Sequence, residues 1–80
     1  MTQQDYMALA LDQAEAAAQR GEVPVGAVLV DPATDQVIAA AGNRVEQDHD
    51  PTAHAEMLVI RVAASERGTA RLAGIDLYVT

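Results

Sequence analysis

The sequence predicts an α/β fold, and three features of its 80 residues predict it: two amphipathic helical segments, a strand between them that is apolar on both faces, and the order helix, strand, strand, helix, strand. The link between the first two strands is short, so they form an antiparallel hairpin. The second helix is the crossover from the second strand to the third, and a right-handed crossover joins parallel strands. With the first strand placed between the other two, the expected arrangement is a mixed sheet of strand order 2-1-3.

The first helix runs from about Gln3 to Arg20. Tyr6, Leu9, Ala10 and Ala17, with Met7, Leu11, Ala14 and Ala18, make a broad apolar stripe opposite Asp12, Glu15 and Gln19. Thr2 caps its start, with Asp5 three residues on in a capping-box arrangement, and Gly21 stops it. The many alanines suit close packing on a sheet. Val23 to Val30 is the first strand, with Val25, Ala27 and Leu29 on one face and Val28 and Val30 on the other. Pro24 has no amide hydrogen and fits only at the strand's beginning. Gly26 marks a bulge or the close approach of a neighbour, a packed element being the simpler reading.

Asp31-Pro32-Ala33-Thr34-Asp35 carries turn chemistry. Gln36 to Ala41 is the second strand, ended by Gly42 and Asn43, and the polar stretch 44–52 is a loop containing Pro51. From Ala53 to about Arg67, the residues Ala55, Leu58, Val59, Val62 and Ala63 recur at helical spacing. Met57, Ile60 and Ala64 widen that stripe past half the circumference, so this helix should meet the sheet and also a further layer or subunit. Gly68 ends it, and Ile75 to Thr80 is the third strand. An apolar strand with an open edge recruits other strands. Residues 1–80 are therefore expected to be the N-terminal part of a single larger domain.

Composition narrows the function. There is no cysteine, which excludes disulfides and a complete thiolate zinc site within these residues. The net charge is −7, with five arginines and no lysine, against the basic face of a dedicated nucleic-acid-binding module. It does not exclude a nucleic acid substrate held by other parts of a larger protein. No apolar run approaches the ~20 residues of a membrane span. The N-terminus lacks the basic start and apolar core of a signal peptide, so a soluble cytoplasmic protein is expected.

The chemistry collects at Asp50-Pro51-Thr52-Ala53-His54-Ala55-Glu56, at the start of the second helix. Inside a helix, residues two apart point to nearly opposite sides. In the first turn, His54 and Glu56 can both reach over the helix end. That end offers free amide hydrogens and a partial positive charge, which favour a developing anion and disfavour a bare cation. A zinc ion there would need anionic ligands from elsewhere. Taken alone, the pair also fits a polar first turn, with Glu56 complementing the dipole and His54 capping. His49, between Asp48 and Asp50, reads as a solvated loop histidine.

Four segments together carry a resemblance: Gly21-Glu22-Val23-Pro24-Val25-Gly26-Ala27-Val28-Leu29-Val30, Gly42-Asn43-Arg44, Asp50 to Met57, and Leu77-Tyr78-Val79-Thr80. In this order and spacing the sequence resembles the N-terminal half of the tRNA-specific adenosine deaminases, in the cytidine-deaminase-like superfamily. The resemblance implies a three-layer α/β/α fold and hydrolysis of adenosine to inosine at the tRNA wobble position. It implies a zinc cofactor with His54 as a ligand. Glu56 would not bind the metal but would carry protons from the attacking water to the purine and the departing ammonia. Asn43 would hydrogen-bond the base, its amide offering both donor and acceptor. Val25 would supply an apolar wall, and the Ala55 backbone amide would complete the pocket. The implied partners are a tRNA anticodon stem-loop and a second copy in a homodimer.

The family signature continues as Pro-Cys-x-x-Cys. Those cysteines would follow Thr80, so the chain holds one of the three protein ligands that a catalytic zinc needs. On its own it is expected to bind zinc weakly and to be inactive. Two other readings are open: a guanine or cytosine deaminase of the same superfamily, and a non-catalytic split or truncated fragment acting through a partner. Arg44 after Asn43, with the Leu77 to Thr80 strand, leans toward the tRNA enzymes.

Overall fold

The Thr2 hydroxyl accepts the Asp5 amide at 3.2 Å while the Asp5 carboxylate accepts the Thr2 amide at 2.8 Å, and this reciprocal cap starts helix α1 (Gln3–Gln19). The computed structural model describes residues 1–80. After α1 come β1 (Gly26–Asp31), β2 (Gln36–Gly42), α2 (Ala55–Arg67) and β3 (Asp76–Val79). The order is that expected from the sequence. β1 begins at Gly26 rather than Val23, because the Val25 amide donates to the Val23 carbonyl at 2.8 Å and closes a tight turn over Pro24.

The strand order is β2-β1-β3, and β1 is antiparallel to both neighbours. The sheet is therefore antiparallel at every hydrogen-bonded edge, which corrects the mixed sheet expected from the sequence. β2 and β3 do run the same way, but β1 lies between them and they never pair. A register shift between Leu29 and Val30 leaves Ile38 of β2 as the extra residue of a bulge.

The two faces of β1 are buried by different helices. Val28 and Val30 pack with Tyr6 and Ala10 of α1, where the Tyr6 and Tyr78 rings lie 5.3 Å apart. Ala27 and Leu29 pack with Ala55, Val59 and Ala63 of α2. The sheet is thus the middle of three layers. The apolar stripes read from sequence are broader than the buried ones. Leu11 on α1 and Met57 and Val62 on α2 stay exposed, because each helix turns only its alanine-rich side to the sheet.

Small residues set how close α1 lies. Gly26 and Gly42 are directly paired across β1 and β2. A methyl group on Gly26 would fall 1.9 Å from the Ala10 carbonyl oxygen, and one on Gly42 would fall 2.5 Å from that of Gln13. The close approach marked by Gly26 is therefore the backbone of α1. Gly26→Ala should destabilise the fold by roughly 3 kcal/mol, the upper part of the usual overpacking range, because backbone rather than a flexible side chain must give way. Urea unfolding of the variant against the parent checks this, and a loss under 1 kcal/mol would mean that α1 can lift off cheaply.

Candidate active site

Three chain segments converge on one hollow of about 490 Å³, a volume typical of small-ligand sites. The α1–β1 connection contributes Gly21, Glu22, Val23 and Val25; the end of β2 and the following loop contribute Asn43, Val45 and Glu46; and the start of α2 contributes His54 and Glu56. The arrangement follows from local structure. β2 ends at Gly42, and the loop that follows returns the chain so that α2 begins beside that strand end.

Asn43 joins the parts. It is buried, and three of its polar groups are engaged: its amide donates to the Val25 carbonyl at 3.1 Å, its carbonyl accepts Arg20 Nη2 at 3.1 Å, and its Oδ1 accepts the Ala55 amide at 2.8 Å. The last bond fixes the orientation of the side-chain amide, since only oxygen can accept from an N–H. Oδ1 is thereby committed, and Nδ2 is left as the free donor. The side-chain amide thus meets the hollow with an unpaired donor and an oxygen that already holds one amide.

His54 occupies the N-cap position of α2 with extended backbone, and its ring makes no capping bond. The ring is exposed beside the hollow. Glu56 lies half-buried in the first turn. Val25, half-buried, gives an apolar wall. Ala55 is fully buried and lies outside the lining, and its amide is spent on Asn43. In this structure the Ala55 amide fixes Asn43. His49 sits away from the hollow in an exposed loop, in the left-handed conformation at φ 50°.

Sequence reasoning missed Glu22. It is buried, and its two carboxylate oxygens accept the amides of Glu46 at 3.0 Å and Gln47 at 2.8 Å. A single glutamate in a polar turn carries no periodicity, and its partners are backbone groups 24 and 25 residues away, so no local pattern could have identified it.

The turn before α2 is held by Asp50. Its Oδ1 accepts the Thr52 hydroxyl at 2.7 Å and the Thr52 amide at 2.8 Å. These bonds, hydroxyl first, hold the Asp50 carboxyl below its ordinary pKa, with smaller help from the charges of Arg61 and His54.

A family model described as the cytidine and deoxycytidylate deaminase zinc-binding region matches residues 1–80. The chain belongs to this deaminase family. A tRNA-specific adenosine deaminase of Agrobacterium fabrum is 53% identical over 75 residues, which cover 94% of this chain and 48% of that protein. A solved structure from a study of A-to-I editing by tRNA:A34 deaminases superposes with a TM-score of 0.91 at 51% identity, covering 98% of this chain and 55% of the other. The guanine deaminase of Bacillus subtilis superposes at 0.90 with 34% identity, covering 99% of this chain and 50% of that one. The chain spans about half the length of the curated tRNA-specific adenosine deaminases it matches.

Zinc is the metal of this deaminase family. The exposed, uncapped ring of His54 suits one ligand position. No three His, Cys, Asp or Glu side chains are placed to hold one metal ion, however, so these residues alone do not fit a zinc ion held by three protein ligands.

Two tests follow from this geometry. Asn43→Ala leaves the buried Ala55 amide without an acceptor and should cost about 1–3 kcal/mol, whereas Asn43→Asp keeps an acceptor and should cost less. Denaturant unfolding of both variants measures the difference, and equal losses would remove the Ala55 bond as the cause. Asp50 has a lowered folded pKa, so its contribution is complete above the ordinary aspartate range and is lost as pH falls through the folded value. Order at Thr52 should therefore persist from neutral pH down through the ordinary aspartate range and be lost only at more acidic pH, as the depressed folded value is crossed. The exchange rate of the Thr52 amide follows this, and Asp50→Asn should flatten the profile.

Proposed function

We propose that residues 1–80 are the N-terminal part of a single zinc-dependent deaminase domain, which hydrolyses adenosine to inosine and ammonia at the wobble position of tRNA. The observation that carries this reading is the meeting of His54, Glu56 and Asn43 in one hollow at the amino end of α2. The names of the tRNA-specific adenosine deaminases, at 45–53% identity, support the choice of substrate.

Within the complete domain His54 contributes one zinc ligand, and the other ligands come from outside these residues. Zinc, held by His54 and ligands from outside these residues, would supply a water acidic enough to be deprotonated near neutral pH. Glu56 would be the proton carrier: its carboxylate, in the first turn of α2, would take one proton from the attacking water to a ring nitrogen of the base, and then a second from the new C6 hydroxyl to the amine, which leaves as ammonia as the C–N bond breaks. Asn43 Nδ2 donates to a ring-nitrogen acceptor of the base, while Oδ1 stays on Ala55. Val25 packs against the base. Ala55 acts by fixing Asn43.

The partner is a tRNA anticodon stem-loop. With a net charge of −7 on these residues, most of the phosphate contacts come from elsewhere in the protein. The exposed Met57 and Val62 on α2 suit burial against a second copy in a homodimer. The absence of a helix long and apolar enough to cross a membrane is compatible with a cytoplasmic enzyme. A second reading, guanine deamination, has its own support in the superposition with the guanine deaminase. We prefer the tRNA reading because identity to the tRNA enzymes is higher.

The complete protein should convert an anticodon stem-loop and leave free guanine and cytosine unchanged; the opposite pattern overturns the substrate assignment. In the same protein, Glu56→Gln should lower kcat by about 10²–10⁴-fold with zinc content unchanged. His54→Ala should lose zinc as well as activity. Metal analysis alongside the rate separates the two roles, and full activity in Glu56→Gln would remove this residue from the chemistry.

A further inference from the structure

One wall of the hollow is made of irregular backbone. Val45 and Glu46 line it, yet they belong to the stretch between β2 and α2, which has no sheet partner. Such backbone keeps a shape only where its polar groups are satisfied. Much of its bonding is internal: Arg44 holds Asp48 at 3.1 Å, and the Asp50 amide donates to the Val45 carbonyl at 3.0 Å. Those bonds shape the loop but do not locate it. Its centre is tied to another element by Glu22, which lies in the α1–β1 connection and bonds the successive amides of Glu46 and Gln47.

The bonding is specific to a carboxylate. Glu22 is only 6% exposed, and acidic side chains are seldom so buried without partners. Each oxygen serves a different amide, in charge-assisted bonds stronger than neutral ones. Glutamine at this position would match one amide and turn its own N–H₂ toward the other.

We infer that Glu22 is a positioning residue: it fixes Val45 and Glu46 as a wall of the hollow that also holds His54 and Glu56, and so sets how firmly a base is gripped. It does not touch the reacting atoms. The inference rests on the deaminase reading of the hollow, and it assigns Glu22 to substrate binding rather than to the chemical step.

The test is Glu22→Gln in the complete zinc-loaded protein, with an anticodon stem-loop RNA as substrate. KM should rise about tenfold, the effect of one lost charge-assisted bond, while kcat stays within about twofold. Amide exchange at Glu46 and Gln47 should quicken by about tenfold or more, and zinc content should not change. Glu22→Asp, which retains the charge, should recover part of the KM. An unchanged KM, or a fall in kcat as large as the rise in KM, overturns the inference. A wild-type protein that does not deaminate the stem-loop defeats the deaminase reading alone. Glu22 is then decided by amide exchange at Glu46 and Gln47, with unchanged exchange counting against it.

Discussion

The hollow depends on one buried hydrogen bond, from the Ala55 amide to Asn43 Oδ1 at 2.8 Å. It joins the end of a strand to the beginning of a helix, beside the bond from the Arg44 amide to the Ala53 carbonyl at 2.9 Å. A helix start has amide hydrogens with no partner in the helix, and a buried one left unpaired is costly. Asn43 meets that need at Ala55 and is itself held by Val25 and Arg20. Its remaining donor is thereby directed by bonds that are structural. His54 and Glu56 flank Ala55, so the same bond sets the place of the residues proposed for metal binding and proton transfer.

The charge around this site is predominantly negative. Glu22, Glu46 and Glu56 all line the hollow, and the amino end of α2 offsets only part of their negative field. Most of the arginines are already engaged: Arg20 with the Asn43 carbonyl, Arg44 with Asp48, Arg61 with Thr52, and Arg67 with Asp31. An uncharged purine can enter such a hollow, whereas a phosphate would meet repulsion. Under the function proposed above, a nucleic acid would present its base here and rest its backbone on other surfaces.

Much of this was legible in the sequence, for identifiable reasons. The Thr2–Asp5 cap, the alternation in β1 and the Gly68 stop are local signals, and they gave the elements within a few residues. Strand order followed from the hairpin and the helical crossover. The label for the sheet did not, because the parallel relation of β2 and β3 is never expressed as a hydrogen-bonded pair. At the site, His54 and Glu56 were visible as a pair on a helix start, and the resemblance drew Asn43 and Val25 to them. Two features were beyond reach. The commitment of the Ala55 amide is a contact between residues 12 apart with no shared pattern. The role of Glu22 depends on backbone amides of a loop whose path no periodicity describes.

The paired glycines beneath α1 have a consequence that reaches past packing. Since Gly26 and Gly42 admit the helix backbone itself, α1 has no cushion of side chains at that level of the sheet through which to absorb a displacement. The segment that leaves α1 runs within a few residues into Gly21, Glu22 and Val23, the rim of the hollow. A change of volume on the sheet side of α1 would therefore be transmitted along a stiff lever to the binding rim. The alanine face of this helix is bound to the geometry of the site as tightly as any residue that lines it.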